Sequence, residues 1–190
     1  MRDTSGKIYN VLFLCTGNSA RSILGEAIAN RDMAARFKGY SAGSFPKGEV
    51  NPNAIALLKR LKYPTDGLRS KDWEEFAAPD APKMDFVFTV CDNAAGEVCP
   101  VWPGQPIRAH WGISDPAAVV GTQDQIDRAF KDAYWQMHRR ITLFGSLRLH
   151  EMDRFRLEKT AQSIGAMDGA TADALTKAQD AAEAIQDRGE

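Results

Sequence analysis

With 190 residues, 44% of them apolar, the chain is long enough for one packed domain and an extension. Its 24 basic and 25 acidic side chains nearly cancel, which leaves no bulk charge to hold nucleic acid or an anionic membrane. No apolar run approaches membrane-spanning length, no leader pattern opens the chain, and the three cysteines are an odd count. These features predict a cytoplasmic protein whose thiols serve chemistry rather than structural cross-links.

In chain order, Val11–Leu14 is a short apolar, β-compatible run that stops at Cys15. A six-residue loop ending in Arg21 follows, and 22–37 then carries Ile23, Ala27, Ile28 and Met33 at helical spacing. Gly39–Gly43 reads as a second strand and turn. Asn51-Pro52 starts a helix over Asn53–Leu61, which Tyr63-Pro64 ends. Ser70 is placed to cap a short helix through Trp73 and Phe76. Asp85–Cys91 is the next strand, and it too ends in a cysteine. A loop is expected from Asp92 to Pro106, containing Cys99, and Ile107–Trp111 is the last strand. Asp124–Leu147 is a long amphipathic helix whose stripe of Ile126, Phe130, Tyr134, Met137, Ile141 and Phe144 belongs to the core.

From Arg148 onward the character changes, and 170–187 is alanine-rich and charged. The reading divides the chain into a domain over 1–147 and a helical extension over 148–190, partly docked or used for self-association. The order of elements predicts a small three-layer α/β sandwich with a mainly parallel sheet.

The chemistry concentrates at the first strand end. A thiol between a strand and a helix start faces unpaired backbone N–H groups and the positive end of a helix dipole, which is an anion site and a place where a cysteine ionises. Cys15 is the nucleophile and Arg21 the planar cation that grips two oxygens of a tetrahedral oxyanion. Gly17 frees the backbone to turn its N–H groups inward, Asn18 and Ser19 pin the loop, and Ser22 is placed to hydrogen-bond the sulfur. The oxyanion cradle therefore runs through Thr16, Gly17, Asn18, Ser19, Ala20, Arg21 and Ser22. Asp115-Pro116, after the last strand, is the candidate general acid. Cys91 and Cys99 are surplus to ester hydrolysis but needed for taking two electrons from thiols; the bland alternative is a core thiol and an incidental one. If the strands ending in Cys15 and Cys91 are neighbours, about 5 Å apart, the two thiols approach the roughly 4–7 Å Cα separation of a disulfide.

The run Cys15-Thr-Gly-Asn-Ser-Ala-Arg21-Ser22 resembles the phosphate loop of the low-molecular-weight protein tyrosine phosphatases. The segments around Cys91–Cys99 and Ala109-His110-Trp111-Gly-Ile-Ser-Asp115-Pro116 resemble, more narrowly, the thioredoxin-coupled arsenate reductases built on that fold, over roughly residues 8–147. The resemblance implies strand order 2-1-3-4 and reduction of arsenate to arsenite, for arsenic detoxification, through a relay from Cys15 to Cys91 to Cys99. It implies thioredoxin or another thiol reductant as partner and phosphate or sulfate as competing oxyanions. No bound redox cofactor is implied. Some members of the family hold a potassium ion beside the loop, and Asn18, Glu26, Ser41 and Asp72 match that site by position; the alternative for these residues is simple loop hydrogen bonding. His110, His138 and His150 are too dispersed to suggest a metal site.

Two departures stand out. Seven residues separate Cys91 from Cys99, one more than in the thioredoxin-coupled members. Ala117-Ala118 follows Asp115-Pro116 where the tyrosine phosphatases carry paired tyrosines, which favours a small inorganic oxyanion over phosphotyrosine. The alternatives are a phosphatase that cleaves phosphomonoesters through a cysteinyl-phosphate, and a non-enzymatic oxyanion sensor.

Overall fold

The computed structural model describes residues 6–96 and 102–186, with 181–186 described by backbone alone. The chain runs β1 (Tyr9–Cys15), α1 (Arg21–Asp32), β2 (Phe37–Gly43), α2 (Pro52–Arg60), β3 (Phe86–Thr89), α3 (Asp92–Gly96), β4 (Ile107–His110), α4 (Gln123–Ser146), α5 (Arg154–Gly165) and α6 (Ala172–Gln186). The four strands form one parallel sheet in the order β2-β1-β3-β4. Both inner strands are buried on both faces, as the continuous apolar run of β1 requires.

Alternation along β1 divides the core. Val11, Phe13 and Cys15 face α1, α2, α4 and α5, where Phe13, Phe86, Phe88, Trp111, Met137, Ile141 and Phe144 pack together. Phe88 and Trp111 stack with ring centres 3.9 Å apart. Leu12 and Leu14 point the other way, onto Ala42, Phe76, Met84, Val87 and Trp102. The aromatic stripe expected on α4 is buried at Phe130, Tyr134, Met137, Ile141 and Phe144.

Three local expectations change. Helix α1 ends at Asp32 rather than 37, because Met33 O takes the N–H groups of both Arg36 and Phe37 and Phe37 pairs with Tyr9 in the sheet. The turn Trp73–Phe76 is a 3-10 helix capped by Asp72, not Ser70; Ser70 instead donates to the Gly17 carbonyl at 3.3 Å. The stretch expected as loop after Cys91 opens with the short helix α3.

The extension from Arg148 onward is helical, with α5 and α6. Leu157, Ala161 and Ile164 of α5 belong to the same buried cluster as the sheet. The Trp111 indole donates to Ala161 O at 2.8 Å, and Gln162 accepts the His110 N–H at 3.1 Å, so α5 covers the outer strand β4. The fit is close: a Cβ on Gly165 would lie 2.1 Å from His110 O. The part of the extension that α5 forms is thus docked against the sheet.

Candidate active site

The loop between β1 and α1 is held by its own carbonyls. Thr16, Gly17 and Ser19 point their carbonyl oxygens outward to the N–H groups of Phe45 (2.9 Å), Lys47 (3.0 Å) and Asn51 (2.8 Å). In a planar trans peptide the N–H lies opposite the C=O, so the amides of Gly17, Asn18 and Ala20 face inward. Asn18 sits in the left-handed region at φ 39°, which asparagine tolerates better than most residues. The end of β2 comes so close that a Cβ on Gly43 would lie 2.4 Å from Thr16 O. Helix α1 then starts at Arg21 with no side-chain cap on its first N–H groups. The result is an anion cradle at the carboxyl edge of the sheet, where strand order reverses. It opens into a cavity of about 210 Å³ whose lining includes Cys15, Arg21, Phe45, Lys47, Cys91 and Asp115.

Hydrogen bonds fix the polarity around the nucleophile. The Lys71 N–H donates to Asn18 Oδ1 at 2.7 Å, so the Asn18 amide nitrogen must face Ser22, to which it donates at 2.9 Å. Having accepted that bond, the Ser22 hydroxyl has its own proton free for Cys15 Sγ, also 2.9 Å away. The expectation of a thiol ionised near neutral pH meets an opposing effect. Burial pushes the Cys15 thiol up from its ordinary value; Ser22 pulls it down, nearby Cys91 pushes it up, Arg21 pulls it down, and burial wins. Ser22→Ala removes the strongest opposing pull. The alkylation rate of Cys15 is expected to rise at higher pH in this variant than in the wild type, and turnover at pH 7 to fall about tenfold.

Arg21 is aimed by the loop after β4. Its guanidinium donates to Ile113 O at 3.0 Å and lies 3.2 Å from Asp115. Asp115 Oδ1 caps the 3-10 turn Pro116–Ala118 by accepting the Ala117 N–H at 3.0 Å, which holds the carboxylate over the pocket. Cys15, Arg21 and Asp115, the expected nucleophile, cation and acid, therefore line one pocket although 100 positions separate Cys15 from Asp115.

The second thiol stands at the same edge. β1 and β3 are direct neighbours, and Cys91, 3% exposed, accepts the Thr16 N–H at 3.3 Å and the Ala94 N–H at 3.5 Å. Cys15 and Cys91 are both free thiols. Cys99 lies outside the described residues.

The set expected to hold potassium does not fit that ion. The Lys71 ammonium, 7% exposed, is 3.0 Å from Glu26, 3.2 Å from the Ser41 hydroxyl and 3.0 Å from Arg69 O, and the Ser41 hydroxyl also donates to Glu26. Asn18 is spent on Ser22 and Lys71, and Asp72 on the 3-10 turn. The positive charge beside the loop is the protein's own lysine. Nothing in the sequence singled out Lys71, because its role depends on the approach of 69–71 to β2. Asp92, His110 and Asp173 also bring three ligand-type atoms within 4.8 Å of one another. Thr171, His110 and Lys177 already satisfy those carboxylates.

Comparison with known proteins places these features among relatives. Residues 10–147 match the family model described as low molecular weight phosphotyrosine protein phosphatase. An arsenate reductase of Halalkalibacterium halodurans is 34% identical over 134 residues, covering 70% of this chain and 93% of the relative. A solved structure described as an arsenate reductase in the phosphate binding state superimposes with a TM-score of 0.56 at 25% identity, over 71% of this chain and 98% of the other. The arsenate reductase of Archaeoglobus fulgidus gives a TM-score of 0.52 at 26% identity, over 70% and 98%.

Proposed function

The chain belongs to the low molecular weight phosphotyrosine protein phosphatase family, and from that membership we propose that it reduces arsenate to arsenite. The observation that carries the reading is the second thiol. Cys91 hydrogen-bonds the first amide of the phosphate loop and lines the pocket that holds Cys15. Ester hydrolysis has no use for a sulfur there, whereas a two-electron reduction requires one.

The positions of Cys15, Arg21, Asp115 and Cys91 support the following steps, and the resemblance supplies the part of Cys99. Arsenate is held by the inward amides and by Arg21, with phosphate and sulfate as competitors for the same cradle. Cys15, drawn towards thiolate by Ser22 and Arg21, attacks arsenic, and Asp115 protonates the oxygen that leaves as water. Cys91 then attacks the Cys15 sulfur. The sulfur–arsenic bond breaks with its electron pair going to arsenic, arsenite departs, and a Cys15–Cys91 disulfide remains. Cys99 attacks Cys91, which frees Cys15 and leaves a Cys91–Cys99 disulfide. A dithiol protein of the thioredoxin type supplies the two electrons that reset it. Arsenic detoxification is the role such a reaction serves; among the described residues no helix is long and apolar enough to cross a membrane.

A single turnover tests this. With reduced protein, one equivalent of arsenate and no external reductant, mass spectrometry is expected to find arsenite and a Cys91–Cys99 disulfide, and Cys15–Cys91 when Cys99 is replaced by serine. Cleavage of a phosphomonoester by a protein that forms neither disulfide with arsenate would leave a phosphatase.

A further inference from the structure

Helix α3 follows Cys91 directly and is only five residues long, too short to persist in water by itself. Both of its ends are tied to the segment that opens α6. At the start of α3, Asp92 Oδ1 accepts the Thr171 hydroxyl at 2.6 Å and His110 Nε2–H at 2.9 Å. At its end, Ala95 O accepts the Lys177 ammonium at 3.3 Å, and the same ammonium pairs with Asp173 at 2.9 Å. His110 is itself fixed: it is 3% exposed and its Nδ1 pairs with the Thr89 hydroxyl at 2.8 Å. The convergence is tight, since a Cβ on Gly112 would lie 2.3 Å from Thr171 Oγ1, 2.5 Å from His110 Nε2 and 2.7 Å from Asp92 Oδ1.

Two more observations give this arrangement a direction. The Ala94 N–H of α3 bonds Cys91 Sγ, so the helix and the buried thiol are one unit. Beside it lies a cavity of about 270 Å³, lined by Ala94, Ala95, His110, Gln162 and Lys177 among others, into which an unwinding turn can move. The tethering residues Thr171 and Lys177 lie beyond residue 147, where the family match ends.

We propose that Thr171 and Lys177 are positioning residues that latch α3 shut, so that release of this latch governs how readily Cys91 leaves its buried seat for disulfide exchange. The meaning of the latch for turnover rests on the arsenate-reductase reading. The latch itself does not, because opening of α3 is measurable without arsenate.

The test uses the full-length reduced protein and the double variant Thr171→Val/Lys177→Met. Iodoacetamide labelling of each cysteine is followed by peptide mass spectrometry in the absence of arsenate. A buried thiol is labelled in proportion to the population of its open form. Loss of two tethers is expected to raise the Cys91 rate roughly tenfold while leaving Cys15 unchanged, and Thr171→Ser/Lys177→Arg to restore slow labelling. An unchanged Cys91 rate, or equal acceleration of Cys15 and Cys91 by general loosening, would overturn the latch. Single turnover with arsenate separates the two ideas. A disulfide that still forms with Cys91 labelling unchanged removes the latch and keeps the relay. Selective Cys91 acceleration with no arsenate-driven disulfide keeps the latch and removes the relay.

Discussion

Cys91→Ser is expected to reduce catalytic arsenate turnover to background, a loss of at least about three orders of magnitude, while arsenate still protects Cys15 from alkylation. The substitution is nearly isosteric. A serine hydroxyl accepts the Thr16 N–H in place of the sulfur, so the loop amides and Arg21 stay where they are. What is lost is the electron pair. Oxygen cannot displace arsenic from the Cys15 sulfur and form a disulfide, so the reaction stops at the Cys15–arsenic adduct. The measurement is arsenite release with excess dithiol reductant, alongside the alkylation rate of Cys15 with and without arsenate. Turnover within tenfold of wild type would mean that Cys91 is a core thiol that happens to touch the loop.

Arg21→Lys is expected to cost about 10²–10³-fold in kcat/KM for arsenate, and to weaken phosphate and sulfate competition in parallel. The guanidinium is held by Ile113 O at 3.0 Å and Asp115 at 3.2 Å and lines the same pocket as Cys15. A lysine ammonium provides a point charge that cannot meet two oxyanion oxygens and both of these partners at once. Arg21 lies at the pocket wall, so thermal stability should change little while binding and rate fall together. An effect below threefold would show that the loop amides carry the oxyanion without it.

The site divides into what neighbours along the chain specify and what they do not. A short apolar run, a thiol, a glycine-containing loop, an arginine and a helical stripe are local features, and the strand-loop-helix unit that carries Cys15 and Arg21 forms as read. Asp115 was legible because proline stiffens the segment after it, and the structure brings its carboxylate to Arg21. Helix α3 was not legible, because it is only five residues long and the groups that bond its ends, Thr171 and Lys177, lie far along the chain. How the helical extension docks was not legible for a related reason: a few residues such as Ala161 and Gly165 suffice where their small size lets a helix lie directly on β4.

By itself, then, the sequence determined the kind of chemistry: residue types and spacings within one strand, one loop and one helix are set by backbone geometry acting over a few positions. Tertiary structure decided how that chemistry is tuned. The burial that raises the Cys15 thiol, the Lys71 ammonium seated on Glu26 and Ser41, the Cys91 sulfur against the Thr16 amide and the ties on α3 all join groups far apart in the chain. Desolvation and charge pairing depend on what lies across a gap of a few ångströms, and only the folded sheet with its helices brings those partners together.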